Sequence, residues 1–579
     1  MPPLIEFDHV TYRHPGSEHS SPPALNDISV KIHQGEWVAI VGANGSGKTT
    51  FARHCNALLL PSHGQVLIAG QNTALKSNLP KIRAGVGMVF QNPEDQIVAT
   101  LIEEDTAFGP ENLGVLPAEI RARVDAALET VKMSGHKEQL PHLLSAGQKQ
   151  RVALAGVLAM QPECVIFDES TAMLDPRGRL DVLAEMQSLH NRGITVLFIT
   201  HFMEEAARAE RVLALNAGNL VFDGAPQDLF ADLKLLTACG LEQPSTVMLL
   251  REIRQLNAQL NHLPVDFEQA LAQIPPYRGS HQLLSERLSP MTGEILIDVE
   301  NLSHTYLPDT PLSHQSLFDV TLQVHSGAAH GFCGATGSGK STLLQHLNGL
   351  YRPQSGKLRI GPYDFRDPRL DIKAVRRFAG LVFQNPEIYF FEQYVGDEIA
   401  YGPKNLYGKE NLAKRVRDAM QLVGLDFDKF KDRLTYTLSG GEKRKVALAA
   451  TMALQPRLLI LDEPTAGLDP ASRRNLHGIL KDYQESGVEL VLSSHSMGDI
   501  TELTENLTIL SKGKALRTGN TADLFNDARL IDEASLGQPS IVKLAGALRE
   551  KGWPIPQRVV RAEQLFQALR AVNTGGPHE

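Results

Sequence analysis

The sequence predicts an α/β fold with a largely parallel sheet, and it predicts that this fold occurs twice in the 579-residue chain. Short apolar stretches, such as residues 164–167 and 458–461, are typical of strands buried on both faces of a parallel sheet. Segments with the pattern of helices alternate with these stretches. Several strings of residues also recur at one domain-sized spacing, which indicates two copies of a single domain.

The strands and helices of each copy follow in the same order. The string GEWVAIVGA is typical of a buried strand that runs into a glycine loop, and TTFARHCNALL of the helix after it. GAAHGFCGA and STLLQHLNGL repeat this arrangement in the second copy. CVIFDES and LLILDEP are apolar strands that end in acids, and ITVLFITH and VELVLSSH are further strands. Strands that alternate with helices in this way favour a parallel α/β sheet.

The repeat also gives the expected domain boundaries. The glycine loop, the string VFQNPE, the acidic strand and the string QPS each have a counterpart 292 to 295 residues further along the chain. A period of this size indicates duplication of a domain rather than a solenoid. We predict a first domain over residues 1–240, a tail module and linker over 241–292, a second domain over 293–535, and a C-terminal tail module over 536–579.

Composition narrows the class of protein. The chain is 42% hydrophobic and 21% charged with a net charge of -9, whereas nucleic-acid binders are more often basic. Its four cysteines form no CxxC pair, which argues against a zinc site or a disulfide framework. The N-terminus lacks the pattern of a signal peptide, and no stretch approaches the roughly 18 apolar residues of a membrane helix. If the chain works in transport, we expect other chains to form the pore.

The motif GxxxxGK[ST] occurs twice and predicts two phosphate-binding loops. Glycines let backbone N–H groups point at phosphate oxygens, the lysine adds a positive charge, and the Thr or Ser hydroxyl can bind Mg²⁺. A chance glycine turn is the alternative, but two copies between a strand and a helix exclude it. The predicted ATP-binding residues here are Gly42, Asn44, Gly45, Gly47, Lys48, Thr49, Thr50, Gly334, Gly337, Gly339, Lys340, Ser341 and Thr342.

Two adjacent acids end a predicted strand in each copy. Asp168 and Asp462 are placed to bind Mg²⁺ together with Thr49 or Ser341, directly or through water. Glu169 and Glu463 follow immediately and can act as general bases toward the attacking water. A single strand-end acid would more often face solvent. Paired acids after four apolar residues, downstream of a phosphate loop, favour catalysis.

The strings LSAGQKQRVALA (residues 144–155) and LSGGEKRKVALA (residues 438–449) resemble the LSGGQ signature of ABC ATPases. A serine and glycines that open a helix form an anion-binding end. The resemblance implies two P-loop NTPase domains of the ABC ATPase type in tandem, each with a helical subdomain and a small tail module. It also implies that each signature binds the γ-phosphate of ATP held by the other copy, within one chain. The signature residues concerned are Ser145, Gly147, Ser439, Gly440 and Gly441.

Further residues match the family's pattern in pairs: Tyr12 and Tyr306, Gln91 and Gln384, Asp175 and Asp469, and His201 and His495. The resemblance implies that the tyrosines stack on adenine and that the glutamines sense Mg²⁺ and the membrane partner. It implies that the aspartates couple the two sites and that the histidines hold the γ-phosphate. For each tyrosine, a purely structural role as a half-buried strand residue is an equally good alternative to adenine stacking. A strand-end histidine is usually structural, but its place 32 residues after each glutamate favours function.

The stretches that follow the two glutamines, QNPEDQIVATLIEEDTAFGPENLG and QNPEIYFFEQYVGDEIAYGPKNLYG, look like those of ATPase subunits of energy-coupling-factor (ECF) importers. This resemblance covers nearly the whole chain. It implies ATP-driven uptake of a vitamin or transition-metal ion through a transmembrane coupling subunit and a substrate-capture membrane subunit, at the cytoplasmic face of the cell membrane. The unequal strings STAMLDP and PTAGLDP imply a fused heterodimer.

Acids near these stretches suggest a partner surface. Glu103, Glu104, Asp105, Asp397 and Glu398 lie where the family's ATPases face the transmembrane subunit, and we expect them to form a groove for basic coupling helices. The alternative for each acid is a solvated helix start that complements the helix dipole.

Two residues depart from the family's pattern: Ala146 replaces the first signature glycine, and Ser170 replaces the usual proline. A methyl group at 146 could crowd the γ-phosphate at the site of Lys340, or be harmless if that residue is already helical. Because both catalytic glutamates and both histidines remain, we predict that both sites hydrolyse ATP, though not necessarily at equal rates.

The sequence disfavours three other functions. A twin-cassette ATPase acting on ribosomes or nucleic acid would more often carry a basic inter-domain segment, but residues 241–290 have four arginines, no lysine and five acids. A fused ATPase of a sugar importer would lack the FGPxNL strings. A non-hydrolysing regulatory protein is disfavoured by two full sets of catalytic residues.

The tails LAGALREKGWPI and FQALRAV predict short amphipathic helices that help to hold the copies together.

Overall fold

The computed structural model describes residues 2–15, 22–172, 174–256, 264–277, 293–310, 312–385 and 390–573. The chain divides into two compact units, Met1–Pro275 with Asp469–Ala471, and Pro276–Leu468 with Ser472–Glu579. Residues 278–292, at the end of the predicted tail module and linker, fall outside the described ranges.

The strands in the first half of the chain form two sheets. They are β1 (Ile5–Tyr12), β2 (Leu25–Ile32), β3 (Trp37–Val41), β4 (His63–Ile68), β5 (Gln71–Asn72), β6 (Val86–Val89), β7 (Cys164–Asp168), β8 (Thr195–Ile199), β9 (Arg211–Asn216) and β10 (Asn219–Gly224). The main sheet has the order β10-β9-β3-β8-β7-β6, and a smaller antiparallel sheet has the order β2-β1-β4-β5. In the main sheet β3 pairs in parallel with β8 and β9, and β7 with β6 and β8. The predicted parallel α/β sheet is thus confirmed.

The apolar character of the central strands follows from burial on both sides. All five residues of β3 are buried, and successive side chains point to opposite faces of the sheet. Val38 and Ile40 enter a core that contains Phe51 of the phosphate-loop helix. Trp37 and Ala39 enter a second core on the other face. A strand in this position needs apolar residues throughout, which is why it shows no alternation in the sequence.

The helices of the first half cover both faces of this sheet. They are α1 (Lys48–Cys55), α2 (Leu79–Gly85), α3 (Ile102–Asn112), α4 (Pro117–Thr130), α5 (Ala146–Ala159), α6 (Pro176–Asn191), α7 (Met203–Ala206), α8 (Pro226–Ala231), α9 (Leu233–Ala238), α10 (Ser245–Leu256) and α11 (Phe267–Gln273). Helices α3, α4 and α5 pack on one another and form the expected helical subdomain.

The strings FGPENL (residues 108–113) and YGPKNL (residues 401–406) have a structural role in the first helix of this subdomain. A Cβ at Gly109 would lie 2.8 Å from Cγ of Met160, just after α5. A Cβ at Gly402, the equivalent position, would lie 3.1 Å from Cδ2 of Leu454. The glycine therefore allows close packing of the subdomain in both copies.

The second half repeats the same elements. Its strands are β11 (Ile295–Tyr306), β12 (His314–His325), β13 (His330–Cys333), β14 (Ser355–Ile360), β15 (Tyr363–Asp364), β16 (Ala379–Val382), β17 (Leu458–Asp462), β18 (Glu489–Ser493), β19 (Asn506–Ser511) and β20 (Lys514–Asn520). The main sheet runs β16-β17-β18-β13-β19-β20, which is the order of the first copy strand for strand.

The helices of the second half also correspond to those of the first. They are α12 (Lys340–Leu347), α13 (Ile372–Phe378), α14 (Val395–Tyr407), α15 (Leu412–Leu422), α16 (Phe427–Phe430), α17 (Gly440–Met452), α18 (Pro470–Glu485), α19 (Met497–Leu503), α20 (Thr521–Asn526), α21 (Ala528–Glu533), α22 (Ser540–Glu550) and α23 (Ala562–Asn573). Within the ranges that the structure describes, no helix has both the length and the apolar character needed to cross a membrane.

The two strings of the second tail that were predicted to be helical lie largely in α22 and entirely in α23, and the first tail also contains a helix, α10. The repeated glutamine of each QPS string has the same contact in both copies. Gln243 Nε2 donates to the carbonyl oxygen of Phe230 at 2.6 Å, and Gln538 Nε2 donates to that of Phe525 at 3.2 Å. Each tail is thereby attached to a helix of its own copy.

Candidate nucleotide-binding sites

Each phosphate loop joins a central strand to the start of a helix. Gly47 and Gly339 cap α1 and α12 with φ angles of +105° and +95°, a left-handed conformation that favours glycine. At Gly42 an added Cβ would lie 2.2 Å from the carbonyl oxygen of Leu215, so the loop passes too close to the neighbouring strand for a side chain. Glycine at this position therefore lets the loop pack closely against β9.

The loop lysines lie within these loops. Lys48 Nζ donates to the carbonyl oxygens of Gly42 and Ala43, both at 2.9 Å. Lys340 Nζ donates to those of Gly334 and Ala335 at 2.8 and 3.1 Å. Burial lowers the pKa of Lys48, while the carboxylate of Glu169 opposes that shift. A buried ammonium at the positive end of a helix suits a polyphosphate anion.

The predicted metal-binding oxygens are close together. Thr49 Oγ1 donates to Asp168 Oδ1 at 3.1 Å. Burial raises the pKa of Asp168 to about 6, and the neighbouring Glu169 charge adds to that shift. Asp462 accepts a hydrogen bond from Ser493 Oγ at 2.5 Å, and burial raises its pKa as well. Hydroxyl and carboxylate oxygens beside a phosphate site are the donors that Mg²⁺ prefers, so these residues fit the ion.

The structure brings the predicted glutamate, histidine and glutamine of the first copy together. His201 Nε2 lies 2.6 Å from Glu169 Oε1, and Gln91 Nε2 donates to Glu169 Oε2 at 3.1 Å. Burial alone would raise the pKa of Glu169, but the hydrogen bond and charge of His201 outweigh it, so the pKa lies below its usual value. The carboxylate is therefore ionised near neutral pH, as a general base must be.

The second copy repeats this arrangement. His495 Nε2 contacts Glu463 Oε1, and Gln384 Nε2 donates to Glu463 Oε2 at 3.5 Å. Both glutamates adopt a left-handed backbone, with φ of +47° at Glu169 and +50° at Glu463. Such a conformation is strained for a side chain other than glycine and is enriched at functional sites. Its presence in both copies indicates that the fold imposes it.

The signature serines begin helices, as predicted. Ser145 Oγ accepts from the Gln148 backbone N–H at 3.3 Å, and Gln148 Oε1 accepts from the Ser145 N–H at 2.9 Å. Ser439 and Glu442 form the same capping box at the start of α17. Ala146 is the first helical residue of α5, which meets the condition under which its methyl group was expected to be harmless; its effect on the γ-phosphate stays a prediction. At the equivalent Gly440, an added Cβ meets nothing within 4 Å.

The two tyrosines predicted to stack on adenine lie beside the phosphate-loop helices. Tyr12 is buried at the end of β1, and its ring meets that of His54 edge-on with centroids 4.8 Å apart. Tyr306, at the end of β11, shares a hydrogen bond of 2.9 Å with Thr342 Oγ1 and packs against the His304 ring. Stacking on adenine stays a prediction.

Two of the five acids predicted to form a partner groove do not face outward. Asp105 is buried, and its Oδ1 accepts from the backbone N–H groups of Val98 and Ala99 at 2.7 and 3.1 Å. The equivalent Glu398 is also buried and accepts from two backbone N–H groups of the preceding loop. These carboxylates hold the loop that precedes the helix, so the groove prediction is wrong for them. Of the remaining three acids, Glu104 and Asp397 are exposed and Glu103 is half-buried.

A buried carboxylate next to the catalytic residues was missed by sequence reasoning. Glu205, on α7, accepts hydrogen bonds from Thr171 Oγ1 at 2.9 Å and Thr200 Oγ1 at 2.6 Å. Thr171 lies two residues after Glu169, and Thr200 directly precedes His201. Arg179 Nε lies 3.5 Å from Glu205 Oε1. Glu205 thus joins the segment after the general base to the segment before the histidine.

Asp499 has the same place in the second copy. Its carboxylate accepts from Thr465 Oγ1 and, at 3.4 Å, from Ser494 Oγ. The nearest basic side chain is different, since His477 Nε2 lies 3.0 Å from Asp499 Oδ1. An acid four residues after each histidine is visible in the sequence, and comparison of the two copies could have found it.

Comparison with known proteins gives the family. The sequence model described as "ABC transporter" matches residues 25–172 and 317–466. A Methanosarcina mazei chain described as the ATP-binding protein of an ABC transporter is 31% identical over 599 aligned residues, covering 98% of both chains. A similar protein of Caldanaerobacter subterraneus is 30% identical and covers 93% of this chain and 95% of its own. The energy-coupling factor transporter ATP-binding protein EcfA1 of Clostridium novyi is 47% identical, over 47% of this chain and 98% of its own.

Proposed function

The chain belongs to the ABC transporter family and is an ABC ATPase, and we propose that its ATP hydrolysis energises uptake of a vitamin or transition-metal ion through separate membrane subunits of an ECF-type importer. The observation that carries this proposal is the similarity to EcfA1, whose printed name is that of an energy-coupling factor ATPase. That relative is matched over nearly its whole length by about half of this chain, which supports the fusion of two such subunits.

Hydrolysis uses the same residues in each half. The phosphates of ATP lie in the loop, against Lys48 or Lys340. Water attacks the γ-phosphorus, Glu169 or Glu463 accepts its proton, and the bond from the γ-phosphorus to the bridging oxygen of ADP breaks. The histidine, 2.6 Å from the glutamate in the first half, orients that carboxylate and reaches the γ-phosphate.

Thr49 and Asp168 would hold Mg²⁺ in the first half, and Ser341 and Asp462 in the second. When bound, the ion would supply positive charge that offsets the negative charge of the ATP phosphates. Gln91 donates through Nε2 to Glu169, and its side-chain oxygen Oε1 would be the atom available to the same ion. The contact of Thr49 with Asp168 at 3.1 Å supports this set of ligands.

Two ATP sites form when the halves pair within the chain. The signature Ser145 and Gly147 would face the ATP of the second half, and Ser439, Gly440 and Gly441 that of the first. Capped helix starts at both signatures support this anion-binding role. The proposed division into domains, 1–240, 241–292, 293–535 and 536–579, is based on the sequence repeat and assigns one tail to each half.

The membrane partners are a transmembrane coupling subunit and a substrate-capture subunit, which place the chain at the cytoplasmic face of the membrane. To test this, the full chain is expressed in its own cells and purified from membranes. One transmembrane partner and one small hydrophobic substrate-binding protein are expected to co-purify. Glu169→Gln and Glu463→Gln are each expected to reduce ATP turnover. Salt-sensitive recovery with ribosomes or RNA, and no membrane protein, would favour the rival twin-cassette function.

The exposed acids Glu104 and Asp397 are the proposed contacts for the basic coupling helices. Charge reversal of both residues to lysine is expected to weaken recovery of the membrane partners. Charge reversal at Glu485, an exposed acid at the end of α18, serves as the control. Unchanged assembly in the double variant would remove these acids from the proposal.

A further inference from the structure

One arginine of the second signature helix contacts both catalytic loops of its own half. Arg444, on α17, donates through Nη1 to the carbonyl oxygens of Pro464 and Ala466, each at 2.7 Å. Through Nη2 it donates to the carbonyl oxygen of Gln384 at 3.1 Å. Pro464 directly follows the general base Glu463. A single guanidinium therefore joins the signature helix α17 to two loops. One is the loop after β16 that carries Gln384, here called the glutamine loop, and the other is the loop after β17 that follows Glu463, here called the general-base loop.

The geometry of the guanidinium makes this link stiff. Its donors lie in one plane at fixed angles, so hydrogen bonds to two loops fix the distance between those loops. Hydrogen bonds from a charged donor are also stronger than those between neutral groups. The two loops carry Gln384 and Glu463, whose side chains meet at 3.5 Å. A shift of the glutamine loop is consequently passed to the segment that follows the general base.

The first half lacks this residue. Gln150 occupies the equivalent position on α5; it is buried, and its Nε2 has no hydrogen-bond partner in the described part of the chain. The glutamine loop is attached to α5 by another side chain, Gln96. Its Nε2 donates to the carbonyl oxygen of Ala153 at 3.0 Å, and its Oε1 accepts from the Phe90 N–H at 3.1 Å. Those two bonds of Gln96 reach the helix and the glutamine loop only.

We propose that Arg444 is a positioning residue that couples the glutamine loop to the general-base loop in the second half alone. The two halves are then unequal in how they respond to the membrane partner, in addition to any difference between their signatures. The link to the partner rests on the proposed transport function, whereas the link between the two loops rests only on ATP hydrolysis.

The test compares four versions of the full-length chain. Arg444→Gln introduces the residue of the first half, and Arg444→Lys keeps the charge but loses the planar fork. Gln150→Met removes the amide at the equivalent position of the first half. Arg417→Gln makes the same charge change on the exposed face of α15, in the same helical subdomain, and is the control. Each is assayed for ATPase kcat and KM, nucleotide-binding stoichiometry and hydrogen exchange.

Arg444→Gln is expected to lower kcat about tenfold with KM changed less than about twofold, equivalent to about 1.4 kcal/mol in the barrier. Amides of residues 465–468 are expected to exchange faster, and Arg444→Lys is expected to be intermediate. Gln150→Met and Arg417→Gln are expected to leave exchange in the general-base loop of their own half unchanged.

Three results would overturn the proposal. One is unchanged kcat and unchanged exchange at 465–468 in Arg444→Gln relative to Arg417→Gln. Another is a loss of kcat matched by an equal loss of nucleotide-binding stoichiometry, which indicates a purely structural role. The third is equal loosening of residues 170–172 in Gln150→Met, which would remove the difference between the halves. These assays use the isolated chain, so their results do not depend on membrane partners. Failure to find such partners by co-purification would contradict the proposed transport function but would leave the proposal for Arg444 unaffected.

Discussion

Glu205 and Asp499 occupy equivalent positions but should respond differently to loss of their charge. Burial raises the pKa of Glu205, and Arg179 with two threonine hydroxyls offsets that only in part. Burial acts on Asp499 in the same direction, but contacts with His477, Arg473 and Thr465 outweigh it and lower its pKa. The folded protein therefore disfavours the charge at one position and stabilises it at the other.

The sign of the pH dependence follows from these directions. Asp499 contributes stability above its unfolded pKa of 3.8, and that contribution is lost as pH falls through its lower folded value. Ionised Glu205 instead reduces stability, and this cost appears as pH rises from 4.5 through its higher folded value. Neutralising Glu205 should thus be tolerated far better near pH 7.

The expected loss in the free energy of unfolding depends on which contacts the substituted Asn or Gln side chain would keep. Asp499→Asn leaves His477 and Arg473 beside an uncharged group in a buried site, a loss of about 3 kcal/mol in the free energy of unfolding. Glu205→Gln keeps an oxygen that can accept from Thr171 and Thr200, and should cost about 1 kcal/mol.

Urea denaturation can measure each half separately, because the two tryptophans lie in different units. Trp37 is in β3 of the first unit, and Trp553 follows α22 in the second. Trp553→Phe leaves a probe for the first unit, and Trp37→Phe leaves one for the second. Glu204→Gln, at an exposed acid, is the control and should change stability by less than about 0.5 kcal/mol. If Glu205→Gln destabilises its unit as much as Asp499→Asn destabilises the other, the reasoning from burial and pairing is refuted.

Three further predictions concern individual site residues. Lys340→Ala removes a buried ammonium from the second phosphate loop and should weaken ATP at that site at least about tenfold, which calorimetric titration would show as loss of one tight-binding nucleotide. Ser493→Ala removes the donor to Asp462 and should lower the free energy of unfolding of the second unit by about 1.5 kcal/mol in the same urea assay; no change would mean that the bond is not formed in solution. Ala146→Gly should change ATP turnover less than about twofold, because the methyl group lies in the first turn of α5 where its equivalent meets no neighbour. A large rise in turnover would instead show that this methyl crowds the γ-phosphate.

Several parts of the fold and site were predictable because their signals are local. The phosphate loops, the signature caps and the strand-end acids each depend on a few consecutive residues. Strand β7 is read from its apolar run, and the position of Asp168 and Glu169 follows once that strand is placed. Because the chain is a tandem repeat, each of these patterns occurs twice. The residues of the second site could therefore be predicted from those of the first.

The acidic run at 103–105 shows where such local reasoning fails. Three consecutive acids look like one charged surface in the sequence. Successive residues of a helix point about 100° apart, so the third acid of the run turns toward the preceding loop. Asp105 there satisfies two backbone N–H groups and is buried, while Glu104 remains exposed.

The sequence by itself determined the duplication, the α/β class, the family and the residues placed to bind phosphate, because these depend on short contiguous patterns and their order. Only the tertiary structure decided the roles of Glu205, Asp499 and Arg444. Their partners lie far away in the chain, as between Thr171 and Glu205, 34 residues apart, or Gln384 and Arg444, 60 residues apart. The physical reason is that an ordinary acid or arginine acquires such a role only through the atoms that folding places around it.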